Sequence, residues 1–77
     1  MINCKIVSTT ETTAYNDLLG VVLCTSSGEV ELLPDHAEYF SLLIAGDVIL
    51  YHSEKKDRLR IEGGACHFLN NELVIVL

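Results

Sequence analysis

Apolar and polar positions alternate along this chain in short runs with a period of two, and nowhere with a sustained period near 3.6. Ile2 to Val7 alternates well enough for an edge strand. Leu18 to Cys24 is a short continuous apolar run, which predicts a strand buried on both faces with Gly20 marking a bend or bulge. Glu29-Val30-Glu31-Leu32 alternates strictly and predicts a half-buried strand with both carboxylates outward. Asp47 to His52, Arg58 to Glu62, Ala65 to Leu69 and Glu72 to Leu77 read as further strands, with Leu59 and Ile61 inward. Ala37 to Leu43 fits either a short helical turn or the start of a strand.

The punctuation between these runs is that of turns. Ser8 to Thr13 is polar and Thr-rich and reads as a loop or irregular crossing. Thr25 to Gly28, Leu33 to His36, Ala45-Gly46, Ser53 to Asp57 and Asn70-Asn71 are turn signals, and Gly63-Gly64 breaks the pattern of its run. Short strands with turn signals every eight to twelve residues or so predict an all-β sandwich or barrel in one domain, residues 1–77.

Composition narrows the function. The chain is 49% hydrophobic and 21% charged, which describes a folded domain, but aromatics are only 6%, so Val, Ile and Leu must supply most of the core. The formal net charge is −6, with five basic residues against eleven acidic ones. So few cations neutralise few phosphates, which argues against nucleic acid as a partner. The same charge disfavours an anionic membrane surface and suits basic protein partners. No apolar run approaches the roughly 20 residues that span a bilayer, so direct membrane insertion is not expected.

Recognisable catalytic chemistry is not written in the chain. It has no GxxxxGKS/T or GxGxxG phosphate loop, no GxSxG elbow, no HExxH pair and no calcium loop. Cys4, Cys24 and Cys66 match no zinc spacing, and read as free, buried thiols. Cys66 and His67 are adjacent, so on a strand they point to opposite faces and cannot readily share a metal. Neither a cofactor nor a metal site is expected. The alternative from a different class is a small all-β module that holds a metal or small ligand through Cys24, Cys66, His67 or His52. It requires at least three Cys or His groups to converge.

The stretch GEVELLPDHAEYF carries the most specific signal. It resembles the segment that typically reads GELGVLPNHAPLL in the epsilon subunit of F-type ATP synthases (delta in mitochondria), with Gly28-Glu29, Leu33-Pro34 and His36-Ala37 in register. Later, Glu62-Gly63-Gly64 followed by Asn71 and LVIVL is similar to that family's SGG, polar turn and final VTVLA strand. Gly46 falls where the family has a PG turn, and Ile6-Val7-Ser8 where its first strand ends. The chain departs from the pattern in four places. The FxG before the second strand is replaced by Tyr15-Asn16-Asp17, where Asn or Asp can take the left-handed turn. Glu38 stands for the proline after HA, Ala45 for the proline before Gly46, and Tyr39-Phe40 for the leucines.

The resemblance implies a two-sheet β-sandwich of short antiparallel strands. It implies a non-catalytic rotor subunit of the central stalk, coupling proton flow to ATP synthesis. Its partners would be the gamma subunit and the polar loops of the c-ring, on the cytoplasmic face of a bacterial inner membrane. Carried over by motif, Ser27, Gly28, Glu29, Val30 and Glu31 face the c-ring, while His36, Ala37 and Ser41, with Ser8, lie toward gamma. Many members continue into a C-terminal helical hairpin that brakes hydrolysis. These 77 residues lack one, so coupling without that brake is the expectation if they are the whole protein.

Overall fold

A computed structural model describes residues 1–77. The seven strands are β1 (Ile2–Val7), β2 (Thr12–Leu18), β3 (Gly20–Thr25), β4 (Gly28–Leu32), β5 (Tyr39–Tyr51), β6 (Lys56–Leu69) and β7 (Glu72–Val76). They hydrogen-bond in the order β2-β1-β7-β6-β5-β3-β4. All pairs are antiparallel except β1 with β7, which run parallel from Asn3↔Glu72 to Val7↔Val76.

One continuous ladder becomes a sandwich because β5 and β6 bend. Extended at about 3.3 Å per residue, β6 alone would measure about 43 Å. The molecule's longest extent is 26 Å. The burial pattern locates the corner. On β5 the half-buried or buried positions Tyr39, Ser41 and Leu43 are odd-numbered, then Val48 and Leu50 are even; Ile44 and Ala45 between them are both exposed. On β6 the phase changes from Leu59 and Ile61 to Cys66 and Phe68, across Gly63-Gly64. The two corners lie opposite each other, with Ile44 paired to Gly63 and Leu43 to Gly64. The long strands thereby contribute to both layers. Ile2, Cys4, Ile6, Leu73 and Ile75 from one layer pack into the same core as Val21, Leu23, Leu32, Val48 and Leu50 from the other, around a fully buried Phe68.

The all-β expectation and the alternation of the charged runs hold, with three local differences. Ala45-Gly46 and Gly63-Gly64 bend strands rather than ending them, because the backbone ladder passes through both pairs. The Leu18–Cys24 run is two elements: Asp17 takes a left-handed φ of 58°, Leu18 ends β2 and Gly20 starts β3. The polar segment after Thr12 is an edge strand on β1, with side chains largely in solvent, so it carries no apolar alternation. Asp17 occupies the left-handed position expected for the missing FxG turn, and Asn70 and Asn71 form the expected tight turn with φ of 50° and 62°.

Candidate partner interface

Most of the residues singled out in the sequence fall into two groups, one at each end of β4, while Ser8 and Ser41 lie on the β1–β2 connection and on β5. At its start, β3 and β4 join through Ser26-Ser27, with Thr25 paired to Gly28. Thr25, only 3% exposed, fixes this tip: its hydroxyl donates to the Gly28 carbonyl at 2.8 Å and accepts from the Ser27 amide at 3.2 Å. Gly28 has φ 113°, a region that strains any side chain. β4 is the outer strand of the ladder, so its far edge is free. Glu29 and Glu31 both point to solvent and belong to none of the molecule's ion pairs, while Val30 packs partly against the core and Leu32 is fully buried. The result is an uncompensated acidic edge held by a well-anchored strand.

At the other end, Leu33-Pro34-Asp35-His36 forms a tight turn closed by the His36 amide donating to the Leu33 carbonyl at 3.1 Å. Proline at the second position and φ 69° at Asp35 in the third mark a type II turn. The turn presents an exposed His36. Its Nδ1 lies 2.7 Å from the Ala37 carbonyl, which can only accept, so the neutral ring carries its proton there and leaves Nε2 outward. The ring packs edge-on to Tyr39 and Phe68, each at 6.1 Å between centroids. Ala37 is exposed beside it.

Ser8 and Ser41 are less available than the sequence suggested. The Ser8 hydroxyl is occupied by its own loop, accepting from the Glu11 amide at 3.2 Å. Ser41 lies on the half-buried side of β5 and donates to the Leu42 carbonyl at 2.9 Å. What the outer face of β5 presents instead is Phe40, Leu42 and Ile44, with 70%, 70% and 48% of their surface exposed. Sheet pairing sets them beside His67, Ala65 and Gly63 of β6, and beyond these lie Val74 and Val76 of β7. His67 is tied to Glu38 at 2.8 Å and lies against the Phe40 ring at 6.3 Å. This apolar stripe was missed in the sequence. Its signal is the run FSLLI, where one face is uniformly large and apolar although the other already meets the core.

The metal-module alternative fails its own requirement. No three His, Cys, Asp or Glu side chains gather where they could hold an ion. Cys66 is buried while His67 faces out toward Glu38, His52 pairs with Asp57 at 2.8 Å, and Cys24 lies against the Asp47 carbonyl at 3.7 Å. Burial pushes the Cys4 thiol up to about 12 and also raises Cys66, so neither is a ready thiolate.

Comparison with known proteins agrees with this geometry. The sequence profile described as "ATP synthase, Delta/Epsilon chain, beta-sandwich domain" matches residues 1–77. The chain belongs to that family. It is 27% identical over its full length to the chloroplastic ATP synthase epsilon chain of Marchantia polymorpha, of which it covers 57%. It is 32% identical over 56 residues to the ATP synthase epsilon chain of Pediococcus pentosaceus, covering 40% of that protein. The chain thus spans about half the length of these curated relatives. Its fold is that of a chain in the mitochondrial ATP synthase of Euglena gracilis, with TM-score 0.89 and 22% identity over 97% of this chain and 49% of that one. A chain in the central stalk and c-ring of the Tetrahymena thermophila mitochondrial ATP synthase superposes with TM-score 0.82 at 8% identity, over 97% of this chain and 61% of that one. The chain thus shares sequence with epsilon chains of a chloroplast and a bacterium, and its fold with chains of two mitochondrial ATP synthases.

Proposed function

We infer that this domain, residues 1–77, is a non-catalytic part of the central stalk of a proton-translocating F-type ATP synthase. It seats the gamma subunit on one surface and the polar loops of the c-ring on another, at the cytoplasmic face of a bacterial inner membrane, and so couples proton flow to ATP synthesis.

The observation that carries this reading is the coexistence of two chemically different surfaces on one stiff sandwich. The apolar stripe of Phe40, Leu42 and Ile44 suits a stable contact that excludes water, as gamma would provide; His36 and Ala37 stand on the turn leading into that strand. The acidic edge from Ser27 to Glu31 suits basic loops on a ring. Exposed charge pairs of this kind set orientation more than affinity. Membership of the delta/epsilon family and the central-stalk assembly of the Tetrahymena relative support the assignment.

Co-purification with the gamma subunit of the same organism tests it. Wild type forms a stable complex, and His36→Glu and Leu42→Asp weaken it while the isolated domain melts as before. Glu29→Lys leaves gamma binding intact and lowers retention on the assembled c-ring. A folded gamma subunit that fails to retain the wild-type chain would refute the reading.

A further inference from the structure

Two turns distant in sequence meet at one end of the sandwich. One is the type II turn Leu33–His36. The other is the β6–β7 connection, where Leu69 pairs with Glu72 around Asn70-Asn71. Both central residues of that connection have positive φ, the type I′ geometry, whose second central position favours glycine. The third position of a type II turn favours glycine for the same reason. In this chain the two glycine-favoured positions are Asn71 and Asp35, and they are bonded to each other. The Asp35 amide donates to Asn71 Oδ1 at 2.6 Å, and Asn71 Nδ2 donates to Asp35 Oδ1 at 3.0 Å.

Asn71 is itself fixed to the frame. Its carbonyl accepts from the Asn3 amide of β1 at 3.0 Å, and Asn3 Oδ1 in turn accepts from the amide of Asp17, another left-handed aspartate, at 3.1 Å. Asp35, by contrast, is exposed and its φ of 69° is one that an L-residue adopts at a cost. A side chain reaching from the rigid β6–β7 turn that grips both the amide and the carboxylate of Asp35 selects that conformation. It thereby sets where the next residue, His36, stands.

We propose that Asn71 is a positioning residue for the Pro34–Ala37 partner surface: its side chain clasps Asp35 in the left-handed conformation that presents His36 to the gamma subunit. This rests on the gamma-binding role inferred for that turn. It also gives a reason why neither Asn71 nor Asp35 is glycine, although glycine would fit each turn with less strain.

The test uses the full chain with three variants. Asn71→Gly keeps the turn and removes the clasp. Asn71→Asp sets two carboxylates against each other. The swap Asp35→Asn with Asn71→Asp keeps the backbone amide of residue 35 donating to the side chain at 71 and rebuilds the side-chain bond with donor and acceptor exchanged. Two readouts are taken: amide exchange at Asp35 in the isolated domain, and the Kd for purified gamma subunit. With Asn71→Gly and with Asn71→Asp, Asp35 exchange quickens and Kd rises, each by roughly threefold to tenfold, the worth of one net hydrogen bond. The melting temperature of Asn71→Gly stays at or above that of wild type. The swap returns both readouts toward wild type. Wild-type exchange in Asn71→Gly, or a swap no better than Asn71→Asp, overturns the clasp. Faster exchange with unchanged Kd overturns its link to binding. A wild-type chain that does not bind gamma overturns the functional reading, and the exchange data then decide the clasp separately.

Discussion

Replacing Gly64 with alanine probes the corner where the sandwich folds over. Gly64 has φ 150°, and a Cβ added there would overlap the Val76 carbonyl oxygen and sit 3.4 Å from Leu77 Cα. Both obstacles are backbone, and they cannot swing aside as a side chain would. β7 is held on its other flank by Val7↔Val76 pairing and by the Leu77 amide donating to the Val7 carbonyl at 2.8 Å. The conformational penalty is about 1–3 kcal/mol. Displacing the end of β7 weakens two or so hydrogen bonds at about 1 kcal/mol each. The sum is about 3–5 kcal/mol. A domain of this size holds about 4–12 kcal/mol in all, and each kcal/mol lowers its Tm by about 4–8 °C. Gly64→Ala therefore melts at least about 12 °C below wild type in a circular-dichroism scan, with a matching drop in urea midpoint at unchanged slope. Gly28→Ala is the control, since φ is 113° but nothing lies within 4 Å of the added carbon. It carries the conformational penalty alone and melts at an intermediate temperature. A Gly64→Ala protein within about 4 °C of wild type, or no less stable than Gly28→Ala, would show that the corner does not depend on close approach of β6 and β7.

Phe68→Ala removes the largest fully buried side chain and costs about 3–5 kcal/mol; a urea midpoint lowered by less than a quarter contradicts its central place in the core. The alkaline limb of stability tests the buried thiol. Cys4 is raised from 9.0 to about 12 by burial first, and next by the neighbouring Cys66, so the folded state keeps a proton that the unfolded chain releases. That contribution is fully present below pH 9 and is lost as pH rises toward 12. Urea midpoints at pH 8 and pH 10.5 should fall more steeply for wild type than for Cys4→Ala, and parallel slopes would contradict the assignment.

What could be read from the chain was what is local. The Asn70-Asn71 turn, the Pro34 turn and the outward Glu29 and Glu31 depend on neighbouring residues, and each was legible. β2 was not, because Thr12, Thr13, Ala14, Asn16 and Asp17 face solvent and owe their extension to pairing with β1. Glycines at the corners looked like strand ends because a change of phase in the alternation and a break in it look alike along one strand. Only the partner strand, changing phase at the facing position, distinguishes them. The candidate interface was half legible. Motif positions pointed to the PDHA turn, but Phe40, Leu42 and Ile44 became a surface only once β5 was known to bury its other side. The bond between Asp35 and Asn71 joins residues far apart in sequence, and no local pattern announces it.

The parallel pairing of β1 with β7 orders events at the ribosome. β1 is synthesised well before β7, yet its second neighbour in the ladder starts at Glu72. At about 5–20 residues per second, several seconds separate the two. In that interval β1 has only the hairpin with β2, a two-stranded ribbon of marginal stability on its own. Ile2, Cys4 and Ile6, buried at the end, are uncovered throughout. Meanwhile β5 and β6 are adjacent in the chain and antiparallel, so their pairing need wait for no later strand. Of the seven strands β1 is therefore among the last to be housed, and β7 closes the ladder by entering between β1 and β6.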